Sequence, residues 1–318
     1  MVFKWQDHGL ILDTKNSLLE GNQINYMQGP QAIQLKNKIR VYFSTRINDS
    51  TGLPISKVAY VDFTLDFKRR LSEPIFIEIS KPAAGGFDEH GIFPFHPYLI
   101  GTSVIGALTC GWKRMSNVDI DMSIGQAISL DGHHFARRGL GPVIGPTANE
   151  PFLIGDPFVL KFEGTYLLYY IFGTRWEVMD GKPQRIYKIG VAQSTDGIRF
   201  HRNFPGRQIV PDILLNEAQA MPTVVEENGI LHMFYCYRDV HAFRSGGENA
   251  YKINHAISEN GFDWSFSSRT INFNFPDWAS EMQCYPNALI QSNELFLLYN
   301  GNKFGKNGIG LISAYLGG

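Results

Sequence analysis

The segment Asp156-Pro157-Phe158-Val159-Leu160 places a proline at the start of a short apolar run, and related segments recur along the 318-residue chain. The prolines of these segments are Pro30, Pro94, Pro157, Pro222 and Pro286, separated by 64, 63, 65 and 64 residues. Such even spacing predicts an internal repeat that fills nearly the whole chain. Proline suits the first residue of a strand, where its missing N–H leaves no ladder hydrogen bond unmade.

Each repeat continues with further strand signals. An aromatic-rich run comes next, such as residues 166–172, and then a third run such as Ile189-Gly190-Val191-Ala192-Gln193-Ser194. Tight-turn dipeptides follow the third run at Asp131-Gly132, Asp196-Gly197 and Asn260-Gly261. These dipeptides favour hairpins because type I′ turns need positive φ. No segment shows a helical period, so each repeat is predicted to contain four antiparallel strands.

Five such repeats predict an all-β, five-bladed β-propeller that comprises residues 1–318 as one domain. The last repeat ends at its third strand, near Gly308-Ile309-Gly310-Leu311. We therefore expect residues 3–12 to supply the missing fourth strand and close the ring, which removes the free sheet edges. Two stacked β-sandwiches are the alternative architecture, and the even period argues against them.

Composition and charge exclude several classes of function. Hydrophobic residues make up 44% and charged residues 19% of the chain, as in ordinary globular proteins. Lys and Arg number 29 against 30 Asp and Glu, so we expect no nucleic-acid partner. The chain has no apolar run long enough for membrane insertion and no secretory signal pattern, so a cytoplasmic location is expected. The three cysteines, Cys110, Cys236 and Cys284, are expected to be buried free thiols.

Equivalent positions of the blades identify candidate site residues, because the first strand of each blade lines the propeller axis. Five residues before the proline stand Asn25, Glu89, Phe152, Glu217 and Glu281. Directly before the proline stand Gly29, Phe93, Asp156, Met221 and Tyr285. At the end of the second strand stand Arg46, Trp112, Arg175, Arg238 and Asn302. Three glutamates thus share one position and three arginines another, although loop caps or Glu–Arg pairs would also explain them.

Carboxylates that converge on one pocket suit glycoside chemistry, in which one protonates the leaving oxygen and another activates water or attacks carbon. Crowding of like charges raises the pKa of at least one of them. The predicted catalytic residues are Glu217, Asp156, Glu281 and Glu89. The predicted sugar-binding residues are Arg46, Arg175, Arg238, Trp112, Asn302, Asp88, His90 and Gln28. The arginines would hold hydroxyl, carboxylate or phosphate groups, and the tryptophan would stack on a sugar ring.

No cofactor is expected from the motifs, since zinc-ligand spacing, a serine nucleophile elbow and the context of a P-loop are all missing. His133-His134 follows a predicted turn. Adjacent residues of a strand point to opposite faces, so no metal site is expected at this pair. The expected partner is a saccharide or a sugar conjugate.

Several of these segments resemble a known superfamily. Asp156-Pro157-Phe158-Val159, with residues 164–170 and 189–197, looks like blade three of the five-bladed glycosidases that include glycoside hydrolase families 32 and 43. Glu281-Met282-Gln283-Cys284-Tyr285-Pro286, with residues 298–302 and 308–311, resembles a branch associated with bacterial surface-polysaccharide genes. The resemblance implies a glycosidase-type enzyme that acts on such material.

The resemblance also implies roles for individual residues. Asp156 matches the blade-three aspartate that orients the sugar or tunes a pKa, and Glu217 matches the blade-four general acid. Blade one departs from the pattern, because Gln28-Gly29-Pro30 stands where an aspartate base or nucleophile is expected. Either Glu89 or Glu281 supplies the second carboxylate, or the usual hydrolysis is absent. A non-catalytic carbohydrate-binding propeller and a protein-interaction scaffold are therefore the alternative functions.

Overall fold

The computed structural model describes residues 3–267, 271 and 273–316. Strand β1 (Trp5–Asp13) comes first, followed by a short 3-10 helix (Thr14–Asn16) and by a small ribbon of β2 (Leu18–Leu19) and β3 (Asn22–Gln23). The remaining strands form the blades.

Blade one contains β4 (Gln28–Leu35), β5 (Lys38–Asn48), β6 (Pro54–Phe63) and β7 (Ile75–Phe76). Blade two contains β8 (Glu78–Ile79), β9 (Ile92–Ile100), β10 (Val104–Arg114), β11 (Ile120–Ser129) and β12 (His134–Arg137). Blade three contains β13 (Ile154–Phe162), β14 (Thr165–Met179) and β15 (Lys182–Ser194). Blade four contains β16 (Glu217–Glu227), β17 (Ile230–Asp239), β18 (Lys252–Ser258) and β19 (Ser265–Phe266). Blade five contains β20 (Cys284–Gln291), β21 (Glu294–Asn300) and β22 (Gly308–Tyr315), and short helical turns lie at Phe243–Ser245, Asp277–Ala279 and Asn302–Gly305.

The five-bladed β-propeller predicted from the repeat is confirmed, with one blade for each proline segment. Two blades differ in detail from the predicted four antiparallel strands. In blade three, the fourth strand is reduced to a single antiparallel bridge between Gln193 and His201. In blade two, β8 adds to the outer edge by pairing parallel with β12. These variations affect only the outer rims of the blades.

The N-terminal strand closes the ring, as the sequence predicted. Strand β1 pairs antiparallel with β22, from Trp5 opposite Ala314 to Asp13 opposite Gly308. Leu12 is buried among apolar residues of blades one and five. The closing strand therefore joins the first and last blades through both hydrogen bonds and apolar packing.

A β-bulge interrupts the innermost strand of each blade beside its proline. The register shifts between β4 and β5, β9 and β10, β13 and β14, β16 and β17, and β20 and β21. The residue before the proline has positive φ in four blades, with values of 60° for Gly29, 48° for Asp156, 50° for Met221 and 57° for Tyr285. In blade two the Phe93–Pro94 peptide bond is cis. Because bulges redirect side chains, Phe93, Asp156 and Tyr285 face a cavity on the axis.

Hydrogen bonds join neighbouring blades around the axis. Asn287 Oδ1 accepts from the Ala32 N–H at 2.8 Å, and Gln31 Oε1 contacts His96 Nδ1 at 2.7 Å. His96 Nε2 accepts from the Val159 N–H at 2.9 Å, and Thr223 Oγ1 from the Ala288 N–H at 2.9 Å. Asp156 Oδ2 accepts from the Met221 N–H at 3.1 Å. Each blade boundary is thus bridged by a side chain of an innermost strand.

The spaces between the blades are filled by apolar residues, and the cysteines lie among them. Cys110, Cys236 and Cys284 are free and fully buried, as predicted. Burial raises the pKa of each of these thiols, so they remain protonated. In the described part of the chain, no helix is both long and apolar enough to cross a membrane.

Candidate functional site

A cavity of about 260 Å³ lies on the propeller axis, and residues from all five blades line it. Gln28 and Arg46 come from blade one, Trp112 from blade two and Asp156 from blade three. Tyr251 precedes the third strand of blade four, and Tyr285 stands directly before the proline of blade five. The volume is near the lower end for ligand sites.

The side chain of Asp156 contributes a carboxyl group to the wall of this cavity. The bulge beside Pro157 holds its backbone at a positive φ, and its side chain is only 6% exposed. Burial raises the pKa of Asp156 to about 7, although the Met221 N–H and the positive charge of Arg185 both lower it. A carboxyl group with such a pKa exchanges its proton near neutral pH, as a general acid must.

Two polar pairs from blades one and two form part of the cavity wall. Arg46 donates from Nε to Gln28 Oε1 at 2.8 Å, and its guanidinium lies 4.8 Å from the centre of the Tyr26 ring. Trp112 donates from Nε1 to Ser56 Oγ at 3.1 Å. Both pairs hold their long side chains in place, and the Arg46 N–H groups other than Nε–H remain able to donate to a ligand.

A buried arginine lies next to the part of the cavity wall that Tyr187 and Tyr251 form. Arg238 is fully buried, and it donates to the carbonyl oxygens of Asp239 at 3.0 Å and Arg185 at 2.9 Å. It also contacts the hydroxyl groups of the cavity residues Tyr251 at 3.3 Å and Tyr187 at 3.4 Å. Arg238 therefore lies behind the cavity wall and acts on the cavity through these two tyrosines.

Two further arginines lie close to Arg238. Burial, followed by the charges of Arg185 and Arg238, lowers the pKa of Arg244. Arg185 and Arg244 share one carboxylate, that of Asp119, at 3.9 and 3.8 Å. Asp119 is largely exposed, so it offsets their charge only weakly. The positive charge on this side of the cavity consequently exceeds the negative charge that opposes it.

Glu217 does not line the cavity. It is fully buried, and its Oε2 accepts from the N–H groups of Ile213 at 2.8 Å and Leu214 at 3.0 Å. Its Oε1 accepts from Gln219 Nε2 at 2.9 Å. Burial raises the pKa of Glu217 against these hydrogen bonds. The contacts are those of a carboxylate that organises the loop before β16, and its predicted catalytic role remains a prediction.

The other predicted carboxylates lie apart from Asp156. Glu89 and Glu281 are exposed and do not line the cavity. Asp88 is buried in an ion pair with Arg137. Among the described residues, Asp156 is thus the only carboxyl group that lines the axial cavity.

The remaining predicted binding residues have contacts outside the cavity. His90 packs against Trp112 with ring centres 5.5 Å apart, so it supports a cavity residue from behind. Arg175 is exposed and lies 3.5 Å from Glu177. Asn302 accepts from the N–H groups of Glu281 at 3.1 Å and Met282 at 2.9 Å, which fixes a loop of blade five. The structure brings Gln28, Arg46, Trp112 and Asp156 together out of the predicted set.

Sequence reasoning missed several residues that line the cavity. Arg185 and Tyr187 lie on β15, the third strand of blade three, whereas the predicted site residues lie near the start of the first strand or the end of the second. The β14–β15 hairpin that carries them is unusually long, with pairing that extends to Met179 opposite Lys182. Tyr285 occupies the same repeat position as Asp156, directly before a proline, so the repeat already marked it.

The ring and its axial cavity define a five-bladed propeller with the fold of glycoside hydrolases. A complex of BT0996 with RGII matches with a TM-score of 0.73 and 12% identity, over 98% of this chain and 92% of that protein. A thermostable family-43 glycoside hydrolase matches with a TM-score of 0.62 and 14% identity, over 90% and 88% of the two chains. A β-1,2-mannobiose phosphorylase from Listeria innocua matches with a TM-score of 0.64 and 8% identity, over 92% and 90%.

The chain belongs to the family of a Mycobacterium tuberculosis protein, "Uncharacterized protein Rv1502". The two are 30% identical over 284 residues, which are 86% of each chain. "Uncharacterized protein MT1551" of the same species matches to the same extent. No protein-family model matches the sequence. The resemblance to glycoside hydrolases is thus confirmed for the fold, and the activity has to be argued from the cavity.

Proposed function

We propose that the axial cavity binds a saccharide and cleaves its glycosidic bond by phosphorolysis, with Asp156 as the general acid. The observation that carries this proposal is the composition of the cavity: one carboxyl group with a pKa of about 7 stands beside arginines. Hydrolysis by paired carboxylates needs a second carboxyl group about 5–10 Å from the first. Among the described residues, no second carboxyl group lines the cavity.

A phosphate ion supplies the nucleophile that the cavity lacks. One phosphate oxygen attacks the anomeric carbon, the bond to the glycosidic oxygen breaks, and Asp156 donates its proton to that oxygen. The products are a sugar 1-phosphate and a free saccharide, and Asp156 regains a proton from the phosphate or from water. Arg46 and Arg185 line the same cavity and suit an anion, because guanidinium groups bind phosphate through paired hydrogen bonds. A structural neighbour is itself a phosphorylase.

Binding of an anionic saccharide without turnover is the second candidate function. The specific observation in its favour is the hydrogen bond from the Met221 N–H to Asp156 Oδ2, which gives this side chain a structural task. The same arginines would then hold a carboxylate or phosphate group of the sugar itself. A role in surface-polysaccharide metabolism is compatible with both functions and remains a prediction.

The test is incubation of the purified chain with a panel of oligosaccharides, with and without inorganic phosphate. We expect sugar 1-phosphate only when phosphate is present. Asp156→Asn should lower kcat at least about 100-fold, and Arg185→Gln should mainly raise the KM for phosphate. Arg175→Gln is the matched control, because Arg175 is exposed and lies outside the cavity.

Two other outcomes would reject phosphorolysis. Release of free sugar in the absence of inorganic phosphate would show hydrolysis instead, which requires a second carboxyl group. Saturable binding of an anionic saccharide, weakened by Arg185→Gln and without any product, would establish the binding function.

A further inference from the structure

We propose a binding site for a divalent transition-metal ion, such as Zn²⁺, formed by Glu78, His133 and His134 on the outer edge of blade two. One ligand atom from each of these residues lies within 4.8 Å of the other two. The site is remote from the axial cavity, since none of the three lines it. The proposal is therefore independent of the proposed function.

The backbone explains why two adjacent histidines converge here. Strand β12 begins at His134, so His133 still belongs to the preceding turn and the alternation of strand side chains does not separate the pair. Their ring centres are 4.5 Å apart. The sequence-based argument against a metal site assumed that both residues lie in a strand, and that premise is wrong.

The three side chains lie within reach of one tetrahedrally coordinated ion, and the two nearest His–Glu contacts use different oxygens of the Glu78 carboxylate. His133 Nε2 lies 3.5 Å from Glu78 Oε1, and His134 Nε2 lies 3.5 Å from Glu78 Oε2. An ion about 2.0–2.1 Å from each ligand atom places neighbouring ligand atoms of a tetrahedron about 3.4 Å apart. Glu78 and His134 are exposed, so small side-chain rotations can complete the geometry and water can take a fourth position.

The opposite nitrogen of each ring already has an oxygen partner. His134 Nδ1 contacts Asp131 Oδ2 at 2.7 Å, and His133 Nδ1 contacts the Tyr60 hydroxyl at 3.4 Å. Metal-binding histidines commonly donate this N–H to a carboxylate or another oxygen, which orients the ring and directs the free Nε2 lone pair to the ion. Asp131 and Glu78 together also supply two negative charges, which balance a divalent cation.

The ligand types favour a transition metal over Mg²⁺ or Ca²⁺, because imidazole nitrogen suits Zn²⁺ and the hard cations prefer oxygen. A bound ion would link β8 to the turn before β12. These two segments are joined at present by the short parallel pairing of His134 with Glu78 and Phe135 with Ile79. The site would therefore reinforce the attachment of β8 to the outer edge of blade two.

The test is calorimetric titration of Zn²⁺ into the 318-residue chain after treatment with a chelator. We expect one equivalent to bind at micromolar concentration or below, and Co²⁺ to give the visible absorption of a tetrahedral site. Glu78→Gln and His134→Ala should each weaken Zn²⁺ binding at least tenfold, and Asp131→Asn about tenfold through the orientation of His134. Metal-free melting temperatures of the variants provide the folding control.

His241→Ala is the matched control for the proposed metal site. His241 is exposed and its Nδ1 lies 2.6 Å from Asp239, as in the His134–Asp131 pair, but it is not part of the three-residue group. This variant should bind Zn²⁺ like the wild type. Failure of the wild type to bind Zn²⁺, or equal binding by Glu78→Gln and the wild type, would overturn the proposal. If His134→Ala does not fold, Glu78→Gln decides, because it preserves the shape of the side chain.

Discussion

Asp156 joins two blades and lines the axial cavity with the same carboxyl group. Its Oδ2 accepts the hydrogen bond from Met221 that links blades three and four, and the same carboxyl group lines the axial cavity. Burial makes the charged form costly, and the single backbone N–H recovers only part of that cost. The carboxyl group is therefore held near its midpoint of titration at neutral pH.

The pH dependence of stability should report the ionisation of Asp156. Its pKa of about 7 in the folded chain exceeds its usual value of 3.8, so the folded state holds this proton more tightly between these limits. The free energy of unfolding should therefore fall as the pH rises from about 4 to 7. Asp156→Asn cannot ionise and still offers an oxygen to the Met221 N–H. Above pH 7, the free energy of unfolding of this variant should therefore exceed that of the wild type by up to about 4 kcal/mol.

The measurement is denaturant unfolding of Asp156→Asn and the wild type at about pH 5 and about pH 8. The difference between the two proteins should grow at the higher pH. An equal difference at both pH values would show that Asp156 does not titrate in this range.

Glu217 provides a second test at the level of a single residue. A glutamine at this position replaces one acceptor oxygen with an NH₂ group, which would face either the N–H groups of Ile213 and Leu214 or the amide of Gln219. Glu217→Gln should therefore lose about 1–3 kcal/mol of unfolding free energy. Glu89→Gln, at an exposed position, should change stability little. If Glu217→Gln kept its stability but lost turnover, the result would support a catalytic role for Glu217.

At the level of strands, the closure between β1 and β22 depends on a glycine. Gly308 has a φ of 129°, and a Cβ atom there would lie 1.9 Å from the carbonyl oxygen of Leu12. A side chain at this position therefore has to displace the closing strand as well as strain the backbone. The paired segments would separate at the point where the first and last blades meet.

Gly308→Ala should consequently destabilise the chain by at least about 3 kcal/mol. Gly164→Ala is the matched control, because Gly164 also has positive φ, at 81°, but a Cβ atom there meets nothing within 4 Å. The free energy of unfolding of the control should fall by only about 1–2 kcal/mol, because only the left-handed backbone is unfavourable for alanine there. Urea unfolding of both variants measures the difference, and equal losses would contradict a special role of Gly308 in ring closure.

At the level of the whole molecule, the ring concentrates charge that the composition does not reveal. The formal net charge is only −1. Arg185, Arg238 and Arg244 nevertheless come together from blades three and four, where the exposed Asp119 lies within 4 Å of both Arg185 and Arg244. Of these three arginines, Arg185 lines the cavity, so an anion bound there would lie near their combined positive charge, which partial burial leaves less screened than exposed charge.

From the sequence alone, the number of blades, the three inner strands of each blade and the closure of the ring could be predicted. The physical reason is that these features depend on local signals that recur along the chain. The proline segment occurs five times at even spacing, and an Asp-Gly or Asn-Gly turn follows the third apolar run in three repeats. Repetition also identified Asp156, since the position before each proline is set by the bulge that accompanies it.

The set of polar residues that share the cavity depends on long-range packing. Glu217, Glu89 and Glu281 occupy one repeat position, yet one is buried beneath a loop and two are exposed. The loops before the prolines differ from blade to blade, and the direction of a loop side chain depends on contacts with other blades. Arg185 reaches the cavity through a long hairpin, and His133 and His134 meet Glu78 across a strand pairing of blade two. Such contacts between residues distant in sequence arise from tertiary packing, which the repeat spacing does not encode.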